Sequence, residues 1–283
     1  GTNFGVTRLN ADGTIDTSFG TAGRVSIDVV GLDTLSSSAA TRGNIRVLSD
    51  GKILLAGGSS NGTNNDFSLV RLNSNGSLDT TFNQTGKLLR PVGTNDTASD
   101  VIVQSDGKMI IVGTVDNDFG IIRLNADGTL DPGFGIAGKV IRSFGNNDGA
   151  YAVALDGNDK IVVTGFAGNG DTNVIRLNTN GSYDTSFGTG GIVTHNIGDI
   201  GSFDQGNSIV IQSNGKIVIG GHASVGGNQF LSLTQLNTDG TIDTSFNPSG
   251  SNGAGRSLVR IGNWKEFGGM IAQQADGKFL ITG

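Results

Sequence analysis

Apolar positions along this chain come in short runs closed by glycine: Ile53–Gly57, Met109–Gly113, Ile161–Gly165, Ile217–Gly221 and Phe279–Gly283. A lysine opens each run. That lysine follows a turn signal: Ser49-Asp50-Gly51, Ser105-Asp106-Gly107, Asn158-Asp159, Ser213-Asn214-Gly215 or Ala275-Asp276-Gly277. A further apolar run precedes the turn, as in Val101-Ile102-Val103 and Ile209-Val210-Ile211. Runs this short, rich in β-branched residues and bounded by turn residues, predict strands.

A second pattern interleaves with the first. Arg123–Gly135 reads Arg-Leu-Asn-Ala-Asp-Gly-Thr-Leu-Asp-Pro-Gly-Phe-Gly, and it returns at Arg8–Gly20, Arg71–Asn83, Arg176–Gly188 and Gln235–Asn247. A return every fifty to sixty residues or so signals a repeat architecture. Each unit then holds two hairpins. Strands A and B are exemplified by Val101–Gln104 and Lys108–Val112, strands C and D by Phe119–Asn125 and Thr129–Phe134. The x-Asp-Gly step predicts a three-residue hairpin loop with glycine left-handed. Asn75, Asn180 and Asn214 replace the aspartate. A turn tolerates that exchange more readily than a metal site would. Asp159 stands where the other four turns have glycine, which predicts a strained or differently shaped turn.

The chain starts in strand C and stops in strand B, so its ends carry complementary halves of one unit. This spacing predicts an all-β fold, a five-bladed β-propeller over residues 1–283 with four antiparallel strands per blade. The closing blade is shared by residues 1–20 and 258–283, and closure removes exposed strand edges. The competing expectation is an open array clipped from a longer repeat protein.

Composition agrees. There are 48 Gly, 3 Pro and no Cys among 283 residues, and every acidic residue is Asp except Glu266. Asp suits turns where Glu suits helices. Without cysteine there is no disulfide framework, thiolate metal site or thiol nucleophile. The net charge of −6 argues against nucleic acid or anionic lipid as partner. No apolar run is long enough for membrane insertion, and no signal peptide is visible. Opening on Gly1 in mid-repeat, the chain reads as a monomeric domain of a longer protein.

The two motifs together, Leu-Asn-x-Asp-Gly-Ser/Thr-x-Asp-Thr-Ser-Phe and x-Asp-Gly-Lys-Ile-x-x-x-Gly, resemble the bacterial delta-60 repeat over essentially the whole chain. That resemblance implies a β-propeller and an extracellular or cell-surface setting in large bacterial proteins, and it transfers no site residue. Gln235 for Arg, Asp159 for Gly and Ala40 at the acidic position described next depart from the pattern.

Twelve residues before each strand-B lysine stands Asp96, Asp148, Asp204 or Glu266, with Ala40 in the fifth unit. Strand A is innermost in propellers, so these four carboxylates are candidates for a ring at one channel mouth. Such a ring is a candidate ligand site and metal site, with calcium as the fitting cation. The plainer alternative is that each carboxylate accepts local backbone N–H bonds. Trp264, beside Glu266, is the candidate sugar platform or a gap-filler. The pairs Arg8/Asp16, Arg71/Asp79, Arg123/Asp131 and Arg176/Asp184 are expected to face each other across strands C and D as structural ion pairs. Phe19, Phe82, Phe134, Phe187 and Phe246 are expected between blades. His195 and His222 lack a third metal ligand in sequence and are read as surface or satisfied loop residues. No catalytic signature appears.

The functional expectation is a non-catalytic binding or scaffold module of a larger extracellular, adhesin-like bacterial protein, with a protein or glycan as partner. The alternative is a lectin-like domain using the mouth loops. A glycoside-active enzyme, with Asp148 or Asp204 in its carboxylate pair, is the third reading.

Overall fold

The computed structural model describes residues 3–30, 33–34, 45–145, 147–168, 170–198, 203–250, 253–262 and 268–283. Every element in it is a strand. A two-stranded sheet, the N-terminal pair, joins β1 (Phe4–Thr7) to β2 (Arg24–Ile27). Sheet I contains β3 (Asp33–Thr34), β4 (Ile45–Val47), β5 (Ile53–Ser60), β6 (Asn65–Leu72) and β7 (Lys87–Arg90); β3 and β4 both pair with β5. Sheet II runs β8 (Asp96–Val103), β9 (Met109–Val115), β10 (Asp118–Leu124) and β11 (Lys139–Arg142). Sheet III runs β12 (Gly149–Leu155), β13 (Ile161–Phe166), β14 (Thr172–Leu177) and β15 (Ile192–His195). Sheet IV runs β16 (Gln205–Ile211), β17 (Ile217–Val225), β18 (Asn228–Leu236) and β19 (Arg256–Val259). The C-terminal pair is β20 (Met270–Gln273) with β21 (Phe279–Thr282). All of these ladders are antiparallel. Among the described residues no ladder joins the two terminal pairs.

The core lies between successive sheets. Met109 and Ile111 face sheet I while Ile110 and Val112 face sheet III, so one strand feeds two apolar clusters. Burial on both faces explains why strand B reads as an unbroken apolar run instead of an alternating one. Similar clusters join the N-terminal pair to sheet I, sheet III to IV, and sheet IV to the C-terminal pair.

Both turns take the expected form. Asn125 N–H donates to Thr129 O at 2.8 Å around a three-residue loop in which Gly128 has φ +94°. Asp127 Oδ1 accepts from Thr129 N–H and Oγ1–H, and Asn75 Oδ1 does the same for Ser77. One acceptor oxygen suffices, which is why Asp and Asn interchange here. At Asp159 the loop keeps its shape, and the residue itself takes φ +58°.

Strand D differs from expectation. Beyond the turn, Thr129–Phe134 makes only the single bridge Leu124↔Leu130, and the strand pairing with Phe119–Ile122 is Lys139–Arg142. Phe134 N–H closes a turn onto Asp131 O, so the chain reverses before it can extend. The ion pairs form nonetheless. Arg71 Nε lies 2.7 Å from Asp79, Arg123 Nε 2.8 Å from Asp131 and Arg176 Nε 2.7 Å from Asp184. The strand-B lysine joins each: Lys52, Lys108 and Lys160 lie within 3.0 Å of the same carboxylates. Burial works against charge on Asp79 and Asp184. Their hydroxyl, lysine and arginine partners outweigh it and hold both carboxyls well below the usual range.

The same arginines link one sheet to the next. Arg71 donates to Ala126 O at 2.7 Å, and Arg8, Arg123 and Arg176 donate likewise to Ser74, Thr179 and Thr238 carbonyls. Each guanidinium also lies 4.5–4.8 Å above the ring of Phe19, Phe82, Phe134 or Phe187. Those four rings are fully buried, as expected of residues between sheets.

Candidate functional site

The connectors entering the first strand of each sheet carry the acidic residues singled out from sequence. Asp96 accepts from Val92 N–H at 2.7 Å and Gly93 N–H at 2.9 Å. Asp148 accepts from Phe144 N–H and from Gly168 N–H at 2.7 Å. Asp204 accepts from Ile197 N–H at 2.7 Å, Gly198 N–H at 2.8 Å and Ser224 N–H at 3.1 Å. All three are buried. Each ties its connector down locally, and for Asp148 and Asp204 the tie extends to the far end of the second strand. Burial pushes the Asp96 carboxyl up, aided by repulsion from Asp116 and Asp66 and opposed by the two N–H groups.

This geometry favours the plain alternative over a shared cation. Among the described residues no three His, Cys, Asp or Glu side chains come together as a metal site. The oxygens that a calcium ion would need are occupied by backbone donors. Glu266, Trp264 and Ala40 lie outside the described residues.

Three features escaped the sequence patterns. The first is Asp100, at the bulge of β8, whose carboxylate meets Arg46 at 2.7 Å and accepts from Val153 N–H of sheet III at 3.0 Å. Ser208 holds the equivalent place and accepts from Ile271 N–H at 3.3 Å. Ala152 stands between them in the series, so residue type alone concealed the position. Burial pushes Asp100 up to about 6 against the pull of Arg46 and the N–H bonds.

The second is Phe203. It precedes Asp204 in the connector, is 60% exposed, and stacks on Phe166 with centroids 5.5 Å apart and planes 18° from parallel. The third corrects the histidines: His195 and His222 sit on strands β15 and β17 and are buried. His195 is the one buried residue of β15, and His222 lies in the continuously buried part of β17. Burial, with Arg256 adding repulsion, lowers His195 to about 4. His222 Nδ1 lies 3.3 Å from Asn207 Nδ2.

A search of curated proteins finds no match. Among solved structures, the chain is similar to PQQ-bound aldose sugar dehydrogenase from Streptomyces coelicolor at 13% identity and TM-score 0.50, covering 95% of this chain and 78% of that one. It is also similar to a mutant NanB sialidase from Streptococcus pneumoniae at 10% identity and TM-score 0.50, covering 87% of this chain and 43% of that one. A protein of unknown function from Bacteroides caccae matches at 14% identity and TM-score 0.46, with 91% and 80% covered. At identities this low, the dehydrogenase and the sialidase establish likeness of fold alone. The family model described as domain of unknown function (DUF5122) beta-propeller matches residues 1–19, 48–82, 104–134, 157–187 and 212–246, more than half of the chain. Each of the last four matches runs from a strand-B turn to the phenylalanine of the second motif, which is buried at Phe82, Phe134 and Phe187 and half-buried at Phe246. The chain therefore belongs to the DUF5122 beta-propeller family.

Proposed function

We propose that the chain is a five-bladed propeller of the delta-60 repeat type, acting as a non-catalytic binding or scaffold module in a larger extracellular, adhesin-like bacterial protein. One observation carries the non-catalytic part. The recurring carboxylates of sheets I–IV are engaged in building the sheets, either with Arg and Lys or with backbone N–H groups. A glycosidase needs two opposed carboxyl groups free to reach substrate, whereas Asp148 and Asp204 hold connectors. Calcium at Asp96, Asp148, Asp204 and Glu266 gains no support from this arrangement.

Binding on a rigid scaffold resides in loops that vary, and the connectors that do not repeat are the candidates for it here. Phe203 supports the second reading, a lectin-like domain: an exposed ring backed by another ring offers a flat face for a sugar. Trp264 is a second candidate platform in that reading. A glycan array with the wild type and Phe203→Ala separates the two. Glycan binding lost in Phe203→Ala at unchanged melting temperature selects the lectin-like reading. An array without signal selects a scaffold or a protein partner. Hydrolysis of any polysaccharide in a panel, abolished by Asp148→Asn or Asp204→Asn, would overturn both.

A further inference from the structure

At three junctions between successive sheets, a phenylalanine of one sheet shares a buried cluster with an aliphatic residue of the next: Phe4 with Val70, Phe67 with Ile122 and Phe119 with Ile175. Between sheets III and IV both places hold threonine. Thr172 has the phenylalanine position in β14, five residues before Leu177, and Thr234 has the aliphatic position in β18, two before Leu236. Two residues on from each, Val174 and Leu236 belong to the cluster that joins these sheets. Alternation along a strand therefore turns both threonines to the same junction. Cross-strand pairing adds a residue on each side, with His195 opposite Thr172 and Arg256 opposite Thr234. Arg256 lies near enough to His195 to oppose its protonation, which ties the two sides together.

Three of these groups are buried without a partner. Thr172, His195 and Thr234 are 0%, 5% and 1% exposed, and Thr172 Oγ1, His195 Nε2 and Thr234 Oγ1 make no hydrogen bond among the described residues. Three such atoms at one junction call for a bound water or ion. The aromatic ring reappears one strand over as Phe166, opposite Thr172 and stacked on Phe203 of the connector, so the β14–β15 side keeps the smaller side chain. Gly206 of β16 closes the inner side, where an added Cβ would stand 2.9 Å from Thr172 Cγ2. Charge selects the ligand. Strands β13–β19 contain no Asp or Glu. Burial and Arg256 keep His195 neutral, and Arg176 is already paired with Asp184. A cation would therefore meet like charge and no carboxylate, whereas an anion would meet the Arg256 guanidinium.

We infer that the junction between sheets III and IV binds a monatomic anion of chloride size, on the Thr172 and Thr234 hydroxyls, His195 Nε2 and Arg256. Both hydroxyls donate, and a neutral imidazole in its Nε2–H form supplies a third donor. Lys87 and Lys139 hold the place of Arg256 in sheets I and II and donate to the Asp28 and Val92 carbonyls of the preceding connector. A guanidinium has five N–H groups, enough to serve such a carbonyl and an anion together. The other three junctions fill the same place with apolar side chains, so the site occurs once. It lies between sheets, apart from the connectors proposed above for partners, and the bound anion stabilises the packing of sheet III on sheet IV.

The test compares the wild type with Thr172→Val/Thr234→Val, which removes both hydroxyls at little change in shape. Melting temperatures are followed as sodium chloride replaces sodium gluconate at constant ionic strength. A ligand that binds the folded state alone raises the midpoint by about 2–5 °C once present at 10–100 times its Kd. The wild type is expected to show that saturable rise over and above any response of the variant. Equal responses in the two proteins would overturn the inference. Crystals of the wild type grown in sodium bromide cover the case of a variant that does not fold. An anomalous peak in contact with both threonine hydroxyls is the expected result, and an ordered water there without anomalous signal would overturn the assignment.

Discussion

Replacing glycine by alanine in equivalent turns separates backbone strain from sheet-to-sheet packing. Gly107 and Gly181 have nearly the same conformation, φ +82° and φ +83°. Their surroundings differ. A Cβ on Gly107 would meet only Ala126, at 3.9 Å, whereas one on Gly181 would come 2.6 Å from Gly135 N and 2.9 Å from the Phe134 ring. The left-handed conformation costs an alanine about 1–2 kcal/mol at either site. Pushing Phe134 out of a filled junction adds ~1–3 kcal/mol, the usual cost of overpacking. With an unfolding entropy of about 2.1 cal/mol/K per residue over 283 residues, each kcal/mol lowers the midpoint by ~1.7 °C. Gly107→Ala should therefore melt about 2–3 °C below the wild type, and Gly181→Ala about 3–8 °C below it. Differential scanning calorimetry of the three proteins at one scan rate is the assay. Equal losses at both positions would show that the Phe–Gly contact carries no packing energy and would sink this account of the junctions.

Two buried groups should act oppositely on stability between pH 4 and 6.5. Asp100, raised to about 6 by burial, contributes stability that is complete below its unfolded value of 3.8 and is lost as pH rises through about 6. His195, lowered from 6.5 to about 4 by burial, contributes stability that is complete above 6.5 and is lost as pH falls toward 4. The slopes offset in the wild type, so urea midpoints of Asp100→Asn should rise with pH across this window and those of His195→Gln should fall; flat profiles in both variants would refute the assignment. Asp79 and Asp184 are held below the usual range, so their contribution is present above pH 3.8 and is lost in stronger acid. Asp79→Asn should accordingly shift the acid-unfolding midpoint upward, and an unchanged midpoint would count against the Lys52–Asp79–Arg71 cluster. Asp204→Ala leaves the Ile197, Gly198 and Ser224 N–H groups without their acceptor, at about 1–3 kcal/mol for a buried unsatisfied donor. The resulting loss in melting temperature should be the same with calcium or with chelator, and a loss seen only with calcium present would restore the metal reading.

What could be read in the sequence was what repeats, and the reason is physical. A three-residue turn needs a left-handed residue and one side-chain acceptor, so Asp/Asn-Gly marks it wherever it occurs, and Asp159 stood out by being forced into the same backbone. Arg71, Asp79 and Phe82 were legible as a set because one guanidinium serves a carboxylate, a neighbouring carbonyl and a ring together. Strand D was misplaced because Lys139–Arg142 is short and half polar, and its pairing is fixed by the reversal at Asp131–Phe134, not by any apolar run of its own. Asp100 and Ser208 do one job with different chemistry, bonding an N–H of the next sheet, and a comparison by residue type cannot see that. The connector carboxylates show the reverse failure: Asp96, Asp148 and Asp204 were found by spacing, but spacing does not reveal where their oxygens point. Once those oxygens are assigned to backbone N–H groups, recurrence at a fixed position is the mark of a scaffold part. In the binding reading proposed above, the contact chemistry then falls to residues such as Phe203 that occur once and face solvent.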